Sequence, residues 1–472
     1  MSFSVLNPAT EEVVAEIAEA DACAVDAAVE AGAKVFAAGT WSRASVEQRQ
    51  DMLRKIARLI EAHADELADL ESLNTGLLLR EARRRHVARA ARNFDFFADY
   101  IGQSVGELYQ QHPGFLTMVL REPVGVAALI APWNAPLALG SMKIAAAIAF
   151  GNSCVIKPSE QAPLAIMRMV EIIAEAGLAP GVLSLVNGRG AVTGEALVRH
   201  RLVDLVSFTG GTATGRRIAS AAGEGLKAVT MELGGKSANI IFESADFDRA
   251  LDAALLGVFD NNGQQCLAGS RILVQRSIAD RFIEAFAART KAIRIGDPRD
   301  PATELGPVAS AAQRERVLEH YARAIDEGAI GLAGGGRPAG LPRGFYVEPV
   351  AVEAPSNDLA ACQEEIFGPF ATIIRFDTAE EAYAIANGTR FGLVSYVWSR
   401  DAAQIAEAQE RLESGVVWIN TPVARELRAP FGGFKESGVG AEGGRACEAF
   451  YTRQKTVMTP RRPVALERLG TA

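Results

Sequence analysis

A chain of 472 residues exceeds what one simple core holds, and at about 150 residues per domain it divides into two or three domains. Its 49% hydrophobic and 22% charged content is that of a folded globular protein, which excludes a disordered or fibrous chain. The formal net charge of −8 argues against nucleic acid or an anionic membrane surface as partner, since either calls for a basic patch.

The opening MSFSVLNPATEEVVAEI has no basic head followed by an apolar run, and no stretch of about 18 apolar residues could span a bilayer, so a cytoplasmic protein without a membrane partner is expected. Residues 22–100 read as amphipathic helices: Val25, Ala28, Val29 and Gly32 share one face, and Leu53, Ile56, Leu59 and Ile60 repeat the stripe. From 124 the pattern changes to short apolar runs at 124–131, 153–157, 182–186, 202–208 and 238–242, several separated by helical segments such as 138–150 and 164–177. Such alternation, with strands apolar on both faces, predicts a parallel sheet covered by helices, which binds ligands beyond the carboxyl ends of its strands. A second α/β block runs from near Asp246 to Val423, with strand-like runs at 270–275, 371–376 and 415–420. The boundary between the blocks falls at Gly234-Gly235.

The cysteines, at 23, 154, 266, 362 and 447, are odd in number, widely spaced and without a CxxC pair, which predicts reduced thiols rather than disulfides or a zinc site. The histidines form no HExxH pair, and no catalytic metal is expected.

Cys266, in NNGQQCLAGSR, follows a Gly-Gln-Gln turn, and Glu232, in MELGGKSANIIF, stands at a strand end before two glycines that let a carboxylate project into a cleft. An isolated cysteine is more often a small buried hydrophobe, and an isolated glutamate is more often solvated surface. Here the two flank the predicted boundary, a common place for a pocket. Asn134, in PWNAP, carries an amide that can donate to a developing oxyanion together with the Cys266 N–H, although a turn role is the commoner one for such an asparagine.

In FTGGTATG, Gly210, Gly211 and Gly215 let backbone amides approach a pyrophosphate at a helix N-terminus; the spacing is neither GxGxxG nor a P-loop, and a plain strand-to-helix turn is an equal reading. KPSE sets Lys157 and Glu160 at a sheet's carboxyl edge. A carboxylate there accepts ribose hydroxyls and repels a 2′-phosphate, which favours NAD, while Arg189 nearby leaves NADP open. As an acid at a helix start, Glu160 has an equal structural reading.

These segments, with EEIFGP (364–369) and PFGGFKESG (430–438), resemble the NAD(P)-dependent aldehyde dehydrogenase superfamily, in its motif order, from NPAT at Asn7 to FYTRQKTV at 450–457. The resemblance implies an α/β protein with a Rossmann-like parallel-sheet cofactor domain (1–104 and 124–234) and an α/β catalytic domain (235–451). It adds a small β oligomerisation arm (105–123 and 452–461), and with the arm a homodimer or homotetramer. It implies that Cys266 attacks an aldehyde as the thiolate, that Asn134 and the Cys266 amide hold the oxyanion, and that hydride leaves to the nicotinamide. Glu232 then activates the water that hydrolyses the thioester. Lys143 would help relay the proton, Glu365 would hold the nicotinamide ribose, and Trp133 and Phe367 would line the cofactor pocket.

ELRAPFGG and FYTRQKTV look most like muconic-type semialdehyde dehydrogenases. This places Arg425, Arg428 and Phe431 at the substrate mouth, where two arginines could grip the carboxylate of a carboxylated or aromatic-derived semialdehyde. Solvation, or pairing with Glu426, is an equal reading for the arginines. The chain departs from the family at Gly211, where Ser is usual, at Ala238 and Ala441, and at Asp95, where muconic-type relatives carry an arginine; the last puts an acid where a substrate-binding base would help and counts against a dicarboxylate substrate. The alternatives are a coenzyme A-acylating aldehyde dehydrogenase and a non-catalytic module of the same fold.

Overall fold

The computed structural model describes residues 1–470. Two large sheets organise it. The first has six strands in the order Gly438–Val439, Ala228–Glu232, Leu205–Thr209, Val126–Ile130, Ser153–Lys157, Leu183–Leu185. All neighbours are parallel except the edge pair Gly438–Val439 with Met231–Glu232. Three of its inner strands, Leu205–Thr209, Val126–Ile130 and Ser153–Lys157, are buried at every position, as strands covered on both faces require.

The second sheet has seven strands, in the order Ile330–Ala333, Val350–Glu353, Phe370–Phe376, Arg271–Gln275, Ala238–Ile241, Val394–Trp398, Val416–Ile419. It is parallel except at the Ile330–Ala333 edge. The 238–242 run, grouped by sequence with the first set of strands, is an inner strand of this second sheet, between Arg271–Gln275 and Val394–Trp398. The chain crosses from one sheet to the other over 233–237, so the two glycines of ELGGK lie in the crossing.

Helices Ala22–Ala38, Val46–Ala62, Ala64–Thr75 and Ala88–Ile101 account for the amphipathic stretch. Ser45 and Gln48 form a reciprocal cap at the start of the second, satisfying N–H groups the first turn leaves free. The apolar faces of the last three join helices Pro136–Ala149 and Leu164–Glu175 in one core against the first sheet. A third sheet, Thr452–Pro460, Phe115–Pro123 and Glu107–Tyr109, is antiparallel, and none of its residues is buried. No helix among the described residues is long and apolar enough to cross a membrane.

Candidate active site

Three segments leave the carboxyl ends of adjacent strands of the first sheet: 132–134, Thr209–Gly211, and Glu232 itself. With Cys266, Glu365 and Phe367 they line one cleft of about 400 Å³.

The thiol-bearing loop is pinned by asparagines. After helix Phe247–Phe259, Asn261 and Asn262 adopt φ of 52° and 55°, a left-handed backbone that asparagine tolerates better than most residues. Asn262 Nδ2 donates to the Gly76 and Pro307 carbonyls at 2.9 Å each, and its Oδ1 accepts from the Gly306 N–H at 2.8 Å. Asn261 Nδ2 donates to the carbonyls of Asn134 and Gln264 at 3.0 Å each. Asn134 Nδ2 donates to the same Gln264 carbonyl at 2.8 Å, leaving its second N–H for the cleft. On the far side, the Tyr396 hydroxyl donates to the Leu267 carbonyl at 2.8 Å.

Glu232 is 5% exposed, and neither carboxylate oxygen has a hydrogen-bond partner. Burial holds its pKa well above the usual carboxylate range; the Glu442 carboxylate pushes the same way, while Lys143 and Arg425 oppose it. Cys266 touches the cleft but is otherwise enclosed. Burial raises its thiol to about 12, with the charges of Glu232 and Glu365 adding to the effect. Glu365 accepts the Gly235 N–H at 3.0 Å and is raised by burial to about 7, against that hydrogen bond and the charge of Lys236.

Lys143 lies behind Glu232, 1% exposed, and donates to Glu442 Oε1 at 2.7 Å and to Ser207 Oγ at 2.9 Å. A lone lysine in an otherwise apolar helix demands an acidic partner, but Glu442 is 299 positions away, so sequence reasoning missed it.

Among the expected cofactor residues, Trp133, Gly210, Gly211, Glu365 and Phe367 line the cleft. The Trp133 and Phe367 rings meet edge to face at 5.2 Å, and Phe367 holds a φ of 60°, a strained value for a non-glycine residue. Gly215 serves packing instead: a β-carbon there would stand 2.5 Å from Leu233 Cδ2. Lys157 and Glu160 are outside the cleft lining, 3.6 Å apart at the next strand end. The nearby Arg189 is engaged by Glu19, whose carboxylate accepts the Arg189 N–H at 2.9 Å; nothing in the sequence flagged Glu19.

The site fits a dinucleotide. Helix Thr212–Glu224 starts at Gly211 with no side-chain cap, so its first N–H groups are free for an anion. The buried Thr209 hydroxyl beside it has no partner, and a side chain added at Gly211 would meet nothing within 4 Å.

The substrate-side residues separate. Arg425 sits 4.0 Å over the Phe431 ring, and Phe431 packs in one apolar cluster with Cys266. Arg428 instead turns to solvent and pairs with Glu426 through Nε at 3.0 Å and Nη2 at 3.1 Å. Asp95 is exposed on the outer face of helix Ala88–Ile101, among the charges of Arg54, Arg58 and Glu61, so it puts no acid at the mouth. The inner face carries Arg89, which the sequence did not single out. Its Nε donates to Asn93 Oδ1 at 2.8 Å, and Asn93 is held in turn by the Ala138 carbonyl and Ser141 Oγ. Burial lowers Arg89 to about 10, with the charge of Arg425 the next contribution.

The chain matches the aldehyde dehydrogenase family over residues 1–457. It is 41% identical over 447 residues to 5-carboxymethyl-2-hydroxymuconate semialdehyde dehydrogenase of Escherichia coli, covering 94% of each chain. It is 41% identical over 460 residues to betaine aldehyde dehydrogenase of Cereibacter sphaeroides, covering 98% of this chain and 94% of the relative. The solved NAD+ complex of aldehyde dehydrogenase from Bacillus cereus superposes with a TM-score of 0.96 at 37% identity, over 98% of this chain and 94% of that one. By matches that run almost end to end, the chain belongs to the aldehyde dehydrogenase family and is an oxidoreductase acting on aldehydes.

Proposed function

We propose that the protein oxidises an aldehyde carrying a carboxylate to the corresponding acid, with NAD as cofactor and through a thioester on Cys266. NAD, when bound, supplies the hydride acceptor. Cys266 Sγ bonds to the aldehyde carbon, and the oxygen that becomes negative is held by the free Asn134 N–H and the Cys266 amide. With a thiol raised to about 12, attack requires its proton to pass to solvent through the open cleft as the carbon–sulfur bond forms. Glu232, whose proton affinity burial raises, then takes a proton from the water that attacks the thioester, with Lys143 and Arg425 favouring the ionised form it needs as a base.

One observation carries the substrate class. Arg89 and Arg425 are two largely desolvated guanidinium groups near one another, and neither forms an ion pair with a carboxylate among the described residues. The Glu442 and Glu232 carboxylates offset these charges only from a distance, so the two guanidinium groups still repel each other, and an anion bound between them relieves that. The relatives are named for a carboxylated muconate semialdehyde and for betaine aldehyde, which is a cation. The arginines favour the first chemistry.

Acidic Glu160 and Glu19, beside Lys157 and Arg189 past the carboxyl edge of the first sheet, support NAD over NADP. The sheet topology supports a cofactor domain of 1–104 with 124–234 and a catalytic domain of 235–451 that begins at the crossing, although strand Gly438–Val439 and the Leu427, Cys447 and Tyr451 side chains return to the first sheet and its core. The third sheet, with no buried residue, supports an arm of 105–123 with 452–461 that joins two or four copies. Free thiols throughout fit the cytoplasm.

The test is NADH formation over carboxylated, neutral aromatic and trimethylammonium aldehydes, with and without coenzyme A. The carboxylated aldehyde should give the highest kcat/KM without coenzyme A. Preference for a neutral or cationic aldehyde refutes the substrate class, and silence until coenzyme A is added refutes the hydrolytic mechanism.

A further inference from the structure

The wall of the cleft that carries Glu365 and Phe367 also carries two arginines outside every motif, Arg316 and Arg390. Arg316 is committed: its Nε donates to the Ile366 carbonyl at 3.2 Å and its Nη2 to the Glu365 carbonyl at 2.5 Å. Arg390 is not.

Glu436, between the short strands Phe434–Lys435 and Gly438–Val439, fixes where Arg390 stands. Its N–H donates to the Arg390 carbonyl at 3.0 Å, and its own carbonyl accepts from the Thr212 hydroxyl at 3.5 Å. Its carboxylate pairs with Arg216 at 2.5 Å and with Arg390 at 3.6 Å. Thr212 and Arg216 belong to the first turns of helix Thr212–Glu224, so a single glutamate spans the distance from that helix start to Arg390. The 3.6 Å pair is too long for a hydrogen bond, Glu436 Oε2 has no hydrogen-bond partner, and the Arg390 side chain is 51% exposed. Arg390 is thus a loosely tethered cation at the mouth of the cleft, beside free helix N–H groups, where an anion would receive both kinds of donor.

We infer that Arg390 is a cofactor-binding residue: its guanidinium takes an oxygen of the dinucleotide's diphosphate at the start of helix Thr212–Glu224, leaving Glu436 to Arg216. The inference rests on reading the cleft as the NAD site. Phe391 supports the geometry, because the guanidinium lies 4.9 Å over that ring and is thereby held toward the cleft. No new bond to carbon forms and no proton moves; one carboxylate partner is exchanged for one phosphate.

The test measures inhibition against NAD by ADP-ribose, which has the diphosphate, and by adenosine, which has none, at low and high salt. It compares the wild type with Arg390→Gln, Arg390→Lys and Glu436→Gln. Arg390→Gln should weaken ADP-ribose about tenfold at low salt, the scale of one charge-assisted hydrogen bond, and flatten its salt dependence while adenosine holds. Arg390→Lys should recover most of the loss, and Glu436→Gln, which removes the competing carboxylate, should tighten ADP-ribose. The inference is overturned if Arg390→Gln binds ADP-ribose as the wild type does, or if adenosine weakens in step, which marks distortion of the cleft. A wild type that binds ADP-ribose no better than adenosine refutes the dinucleotide reading itself, a separate result.

Discussion

Gly235 lies against the carbonyl of Cys266, so closely that a β-carbon at 235 would stand 2.5 Å from that oxygen and 3.3 Å from Leu393 Cβ. The crossing between the two sheets and the thiol-bearing loop are therefore packed backbone to backbone. At Gly234 a β-carbon would overlap the Glu365 carboxylate. Gly235→Ala should displace the Cys266 loop. A shift of about 1 Å at a reacting atom is worth roughly 100-fold in rate, and overpacking is worth about 1–3 kcal/mol in stability. Turnover and a denaturant melt on the same preparation check both; full activity in a stably folded Gly235→Ala would show that the loop tolerates the push.

Glu232→Gln should release one NADH per site in a burst and then stall, because the thioester forms without a base to hydrolyse it. Stopped-flow absorbance reads the burst, and steady turnover at the wild-type rate would remove Glu232 from the mechanism.

The same carboxyl sets a pH dependence. Its folded pKa is raised above the unfolded value, so the folded state binds the proton more tightly, and stability falls as pH rises from the ordinary glutamate range through the folded value. Glu232→Gln should therefore melt higher than the wild type at alkaline pH, with the gap closing as pH falls. In Glu442→Gln a raising charge is gone, so the acidic limb of kcat should move to lower pH. A limb that stays in place would mean that another group titrates.

The Cys266 thiol, at about 12 without ligands, should be alkylated by iodoacetamide slowly at neutral pH, with a rate still rising above pH 10. Removing the Glu232 charge lowers the thiol pKa, so Glu232→Gln should react a few-fold faster at a fixed alkaline pH where Glu232 is ionised. Mass spectrometry of the Cys266 peptide follows both, and a plateau near pH 7 would contradict the buried, protonated thiol.

Arg425→Gln should cut the preference for a carboxylated over a neutral aldehyde of similar size by about 10- to 100-fold in kcat/KM, the range of a charged hydrogen bond of roughly 1.5–3 kcal/mol. Arg428→Gln, whose partner is Glu426 at the surface, should leave that ratio within about twofold, the scale of an exposed pair. Equal effects would show that the loop rearranges when substrate enters.

The amino-acid sequence determined the elements and the chemical alphabet. Strands apolar on both faces, such as Ser153–Lys157, have only one way to be buried, and the short-range pattern reveals them. Cys266, Glu232 and Asn134 were legible because each stands in a distinctive local run at the end of an element. Tertiary structure decided what those residues face. Arg89 and Asp95 lie on one helix, and only packing sends Arg89 inward toward Arg425 and Asp95 outward toward Arg54 and Arg58. Arg425 and Arg428 are three positions apart in an irregular loop, where no periodicity assigns a side, and they part. Lys143 announces a need for an acid, but its partner Glu442 enters through the pairing of Phe431 with Glu442, a contact between distant segments that no local pattern encodes. The 238–242 run reads as a strand in either sheet. Only the chain crossing at 233–237 puts it in the second, because that crossing lets Glu232 close one sheet while Gly235 rests on the loop of Cys266.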